Sequence, residues 1–120
     1  MSSSPSGYWV VGTDPTLIHL LRRFAEQHGN ALREQTGAPD VAAVRQAQPA
    51  ALIFLSIEHL QAAQGLVDGL AAHETPILVC ASVADEARAR ELGADACLLH
   101  PLTYAQFLTV LEAVRPPQPS

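Results

Sequence analysis

Along this chain, short runs of consecutive apolar residues alternate with stretches in which apolar residues recur every three or four positions. The first pattern belongs to strands covered on both faces and the second to helices with one buried stripe, so the alternation predicts an α/β domain. Tyr8-Trp9-Val10-Val11 opens the series as a buried strand. Gly12-Thr13-Asp14-Pro15 follows, and then Leu17, Ile18, Leu20, Leu21 and Phe24 fall at helical spacing. Asp14 is placed to cap that helix, Pro15 suits its first position and Gly29 ends it. Residues 31–36 make a weaker strand, and 40–48 a short helix with Val41, Val44 and Ala47 on one face.

The second half repeats the alternation more strongly. Residues 51–55, Ala-Leu-Ile-Phe-Leu, form a continuous apolar strand closed by Ser56. A helix is expected from about residue 58 to 72, with Leu60, Ala63, Leu66, Val67 and Leu70 inward and Gly65 and Gly69 weakening it. Residues 76–81 read as a fourth strand with Pro76 at its first position, where a missing N–H costs least. Ser82-Val83-Ala84-Asp85 looks like a capping box opening a helix that runs to about Leu92 and stops at Gly93. Residues 96–99 are the fifth strand and His100-Pro101 a turn. Thr103-Tyr104-Ala105-Gln106 is a second capping box before a helix with Phe107, Leu108, Val110, Leu111 and Val114 inward. Five parallel strands joined by right-handed helical crossovers are most simply arranged as a doubly wound sheet of order 2-1-3-4-5.

At 120 residues there is room for one core and no second domain, and 48% hydrophobic against 16% charged residues suffices to order it. Residues 1–7, rich in Ser, Pro and Gly, and 115–120, RPPQPS, read as disordered tails flanking one domain over 8–114. A net charge of −5, with the basic residues scattered, argues against nucleic acid as a partner. All seven basic residues are arginine, so Schiff-base and P-loop lysine chemistry are excluded together. Cys80 and Cys97 lie within apolar runs and read as small buried hydrophobes. Without C-x-x-C spacing or a His/Cys cluster there is no sequence support for a metal or a cofactor. The lack of a secretory leader pattern and of any membrane-length apolar run leads to a cytoplasmic expectation.

Three segments carry a resemblance: VVGTDPTLIHLL, PAALIFLSIEHL and TPILVCASVADEARARELGADACLLHPLTYAQFLTVL. Together they resemble the receiver domain of two-component response regulators, the CheY-like family, over nearly all of residues 8–114. The resemblance implies a single flavodoxin-like (βα)5 domain in signal transduction. It also implies chemistry at the carboxyl ends of the strands, and there the family's pattern is broken. The acid pair that holds Mg²⁺ in the family matches Gly12 and Thr13. The phosphoacceptor aspartate matches Ser56, or Leu55 if the alignment slides by one. The hydroxyl residue closing the fourth strand matches Ala81, with Ser82 next. The switch aromatic of the fifth strand matches Cys97, and the lysine before the cis-proline matches His100, followed by Pro101.

Aspartyl phosphorylation requires a nucleophilic carboxylate, a hard divalent cation on carboxylate oxygens, and a cationic clamp. With these residues in place no acyl-phosphate is expected, and Ser56, with no base within sequence reach, is a poor substitute. Asp14 reads as an N-cap or a displaced metal ligand, Ser56 as an N-cap, a phosphorylated residue or an anion contact, and Glu58 as a first-turn residue or a fixed stand-in for phosphoryl charge. His100 reads as a solvated loop residue, or else as a phosphoryl acceptor, an anion contact or a pH-sensitive group. His19, His28, His59 and His73 fall on separate elements. The family's partner face, made by its fourth helix, fifth strand and fifth helix, corresponds here to Asp85, Arg88, Glu91, Tyr104 and Gln106. These residues suit a modest interface or a plain solvated surface. The expectation is a phosphorylation-independent, non-enzymatic module that docks on a kinase, a transcription factor, another regulator or a second copy of itself. The competing reading is a small-molecule or cofactor binder using the same crevice, although no G-x-G-x-x-G loop is present.

Overall fold

The computed structural model describes residues 7–35, 37–70 and 75–114. The strands are β1 (Tyr8–Val11), β2 (Leu32–Gln35), β3 (Ala51–Phe54), β4 (Ile77–Ala81) and β5 (Ala96–Leu99). The helices are α1 (Pro15–Gln27), α2 (Val41–Ala47), α3 (Ile57–Ala62), α4 (Gln64–Gly69), α5 (Glu86–Glu91) and α6 (Tyr104–Val114). All strand pairs are parallel, in the order β2-β1-β3-β4-β5, so the doubly wound sheet expected from the sequence is the fold observed.

Alternate residues of each strand face opposite layers, which divides the core in two. On one side Val10, Ile53, Leu78 and Leu98 meet Leu17, Ile18 and Leu21 of α1 and Phe107 of α6. Phe107 stacks edge-on against Tyr8, with ring centroids 5.8 Å apart, and lies 5.7 Å from Phe24. On the other side Trp9, Leu52, Phe54 and Val79 meet Val44, Leu60, Leu66 and Ala89. Among the described residues no helix is long and apolar enough to cross a membrane.

The structure departs from the sequence reading in four places. The single helix expected over 58–72 is two: its continuity breaks at Ala63, and residues 71 and 72 lie outside the described residues. The Leu60 carbonyl, which would take the Gln64 amide in an unbroken helix, instead accepts the Ala63 N–H at 3.0 Å and the Gln64 side chain at 3.1 Å. Gln64 Nε2 also donates to the Leu92 carbonyl at 2.8 Å, so one side chain ties the break to the end of α5. Ser82 does not open a capping box: its hydroxyl donates to Asp85 Oδ2 at 3.1 Å, and a 3₁₀ turn over Val83–Asp85 precedes α5. The Thr103 box is half formed, since Thr103 Oγ1 accepts the Gln106 amide but the Gln106 side chain turns away to accept from the Leu99 N–H of β5. Gly7, assigned above to the tail, is buried, and its carbonyl accepts the Ala50 amide at 2.8 Å.

Candidate functional site

In a doubly wound sheet the crevice lies beyond the carboxyl ends of the strands, where the crossovers diverge. The register aligns Val11 of β1 with Phe54 of β3, and the Leu55 amide donates to the Val11 carbonyl at 3.0 Å. Leu55 therefore sits level with Gly12, and Ser56 one step further out. Gly12 has φ +143°, and a Cβ placed on it would lie 2.8 Å from each of Cβ, Cγ and Cδ1 of Leu55. The Leu55 side chain is 6% exposed and belongs to the core on the α1/α6 side. Of the two positions matched to the phosphoacceptor, one is thus a buried aliphatic side chain resting on a glycine. The other, Ser56, faces outward.

Ser56 lines an open hollow of about 400 Å³ with Glu58, Ala81, Ser82 and His100. These are five of the residues singled out in the sequence. The structure adds Gln61, Asp85 and Arg88 to the same walls. Arg88 reaches Gln61 Oε1 at 3.3 Å. The Ala81 carbonyl accepts the His100 amide at 3.3 Å, which holds the turn bearing the cis His100–Pro101 bond against the end of β4. Ser56 caps α3, its Oγ accepting the His59 amide at 3.2 Å. The His59 ring also comes back to it, with Nδ1 2.6 Å from Oγ. A base is therefore within reach of Ser56, contrary to the sequence expectation. The Ser-x-x-His spacing across a helix start was the signal for it.

The other sequence candidates lie elsewhere. Gly12 and Thr13 border a second hollow, of about 360 Å³, with Ile18, His19 and the Arg22–Glu34 ion pair. Asp14 is an N-cap, its Oδ1 accepting the Leu17 amide at 3.2 Å, and it shares a third, smaller hollow with His100. Cys97 is buried in the α2–α5 side of the core and lines none of these hollows. Burial raises its thiol pKa, the Glu86 carboxylate raises it further, and Arg90 opposes them. Cys80 is pushed up to about 12, chiefly by burial, with Asp14 and Cys97 acting in the same direction. Among the described residues no group of three His, Cys, Asp or Glu side chains is placed to hold a metal ion. Of the five residues matched to the partner face, Asp85 and Arg88 belong to the hollow and Glu91 is exposed on α5. Gln106 is engaged by β5, and the Tyr104 ring packs 5.6 Å from Phe24.

No family model and no curated protein sequence matches the chain. Solved structures do match. A response regulator signal receiver domain from Bermanella marisrubri superposes with a TM-score of 0.71 at 18% identity, over 92% of this chain and 98% of that one. The receiver domain of a sensor histidine kinase from Pseudomonas aeruginosa, solved with magnesium in its active-site cleft, gives 0.70 at 13% identity, over 92% and 97%. The CheY-like protein TadZ from the same species gives 0.68 at 15%, over 95% and 97%. At these identities the likeness is one of fold, and the fold of this chain is that of the CheY-like receiver domains of two-component response regulators.

Proposed function

We propose that this chain is a receiver-type signalling module that works without aspartyl phosphorylation, by docking on another protein, and has no catalytic turnover of its own. The observation that carries the reading is the pairing of Leu55 with Gly12. Where a phosphoryl-transfer site needs carboxylates converging on a cation, these strand ends present an aliphatic side chain packed on a glycine. Of the nearby carboxylates, Asp14 is spent on a helix cap and Asp85 is bonded to Ser82, which leaves Glu58 as a lone carboxylate in the hollow's wall rather than a converging set. Arg88 is the one cation of the hollow's lining and is bound to Gln61. What persists is a scaffold able to present surfaces. With phosphoryl chemistry gone, a fixed surface for a signalling protein is the use that remains.

The test is mass spectrometry and thermal melting with Mg²⁺ plus acetyl phosphate or beryllofluoride. The expected outcome is no Mg²⁺-dependent added mass and a melting temperature unchanged to within about 1 °C, since a ligand that does not bind the folded state cannot stabilise it. A Mg²⁺-dependent phospho-adduct, or a melting rise of several degrees, would overturn the proposal.

A further inference from the structure

Ser56 is held by more than its capping role requires. In a capping box the side chain at the third helical position turns back to the backbone amide of the capping residue. Here the third-position side chain, His59, comes instead to the hydroxyl itself, with Nδ1 2.6 Å from Oγ. Oγ already accepts the His59 amide hydrogen at 3.2 Å, so its own hydrogen is available to Nδ1. With Oγ as the donor of that contact, the imidazole is the tautomer carrying its hydrogen on Nε2. A hydroxyl donating to an imidazole nitrogen is the arrangement by which a weak oxygen nucleophile is activated. Independently of that pair, Ser56 forms part of the wall of a hollow of about 400 Å³, room for a small substituent. The same wall carries Glu58 and Asp85 against Arg88, a balance of charge that disfavours an anionic donor.

We propose that Ser56 is an acyl-acceptor site with His59 as its base, taking a small uncharged acyl group from an activated ester or thioester. Oγ forms the bond to the carbonyl carbon while its proton passes to His59 Nδ1. The bond from that carbon to the leaving group then breaks with its electron pair, and the proton goes from Nδ1 to the leaving group. The products are the Ser56 ester and a free alcohol, phenol or thiol, with no further reactant consumed. This modification is single and stoichiometric, and it stands or falls separately from the docking function.

The experiment is incubation of the full chain with 4-nitrophenyl acetate, followed by peptide mass spectrometry. The chain contains no lysine, which removes lysine acylation and leaves the α-amino group as the amine background, separated from Ser56 by the peptide map. The expected result is an acetyl ester on the Ser56 peptide, formed about a hundredfold faster than in His59→Gln, the scale of a positioned general base. The ester is absent in Ser56→Asp, which keeps a good cap and therefore the fold. Acetyl phosphate, an anionic donor of the same group, labels more slowly. An unmodified Ser56, equal rates in wild type and His59→Gln, or a preference for acetyl phosphate would overturn the proposal.

Discussion

Replacing Gly12 by alanine probes the contact on which the functional reading rests. The added Cβ would lie 2.8 Å from three atoms of Leu55, one of them the Leu55 Cβ, which no rotamer change can move away. The backbone at φ +143° is also open to glycine and strained for any L side chain. Strain of roughly 1–3 kcal/mol and overpacking of roughly 1–3 kcal/mol give an expected cost of about 3 kcal/mol. Against a typical domain stability of about 5–15 kcal/mol, that is a large fraction. Leu55→Ala alone should cost about 2–5 kcal/mol through the cavity it leaves. It removes two of the three clashing atoms, so Gly12→Ala should cost about 1–2 kcal/mol less in that background than in the wild type. Urea unfolding of the four proteins, followed by fluorescence of Trp9, the sole tryptophan and 6% exposed, measures the cycle. A Gly12→Ala cost below about 0.5 kcal/mol, or strict additivity of the two changes, would refute the close packing and with it the claim that this position has no room for a carboxylate.

Two further outcomes follow from single side chains. The Cys80 thiol is raised from 9.0 to about 12, so the folded chain holds that proton more tightly than the unfolded one. The associated stabilisation is whole below pH 9 and drains away between about pH 9 and 12, amounting to a loss of about 1.4 kcal/mol at pH 10. The stability difference between wild type and Cys80→Ala should shrink accordingly between pH 8 and pH 10, and a constant difference would contradict the shift. Gln106→Ala removes the acceptor for the Leu99 amide at the end of β5 and should cost about 1–2 kcal/mol in urea unfolding. Gln106→Glu, which keeps an acceptor oxygen, should recover most of that cost.

What was legible in the sequence was what local pattern controls. β1, β3, β4 and β5 are unbroken apolar runs because both faces of a parallel sheet are covered, and their number and spacing lead to the strand order. The caps at Asp14 and Ser56 were legible because each acts on an amide three residues on. Two of the misses involve side chains that leave their own segment. Gln64 breaks a helix by taking a carbonyl within it while reaching Leu92, 28 residues away. Gln106 abandons its capping box for Leu99, seven residues back on another element. The hollow is lined by Ser56, Ser82 and His100, and Arg88, which the sequence reads as a surface residue, lies in its wall as well. Spacing alone cannot tell a helix face directed at solvent from one directed across a crevice. His59 is hidden for a different reason: its ring partner is local, but a histidine three residues after a capping serine has the same spacing whether its ring turns back to the hydroxyl or out to solvent.

On the proposed reading, the residues at the strand ends favour the scaffold. A leucine buried at position 55 contributes about 1.5–3 kcal/mol relative to an exposed one, whereas a carboxylate enclosed there without a cation would cost several kcal/mol or remain protonated. Functional sites are commonly maintained at the expense of stability, and a chain released from the chemistry can convert the same positions into core. Gly12 and Leu55 pack as a pair, the bulk of one admitted by the missing side chain of the other. A single reversal at either position is therefore opposed by packing: an acid at 12 meets Leu55, and an acid at 55 faces a glycine that offers it no ligand partner. On the proposed reading, a cation site here would take both changes together, with the strand-end backbone relaxed around them.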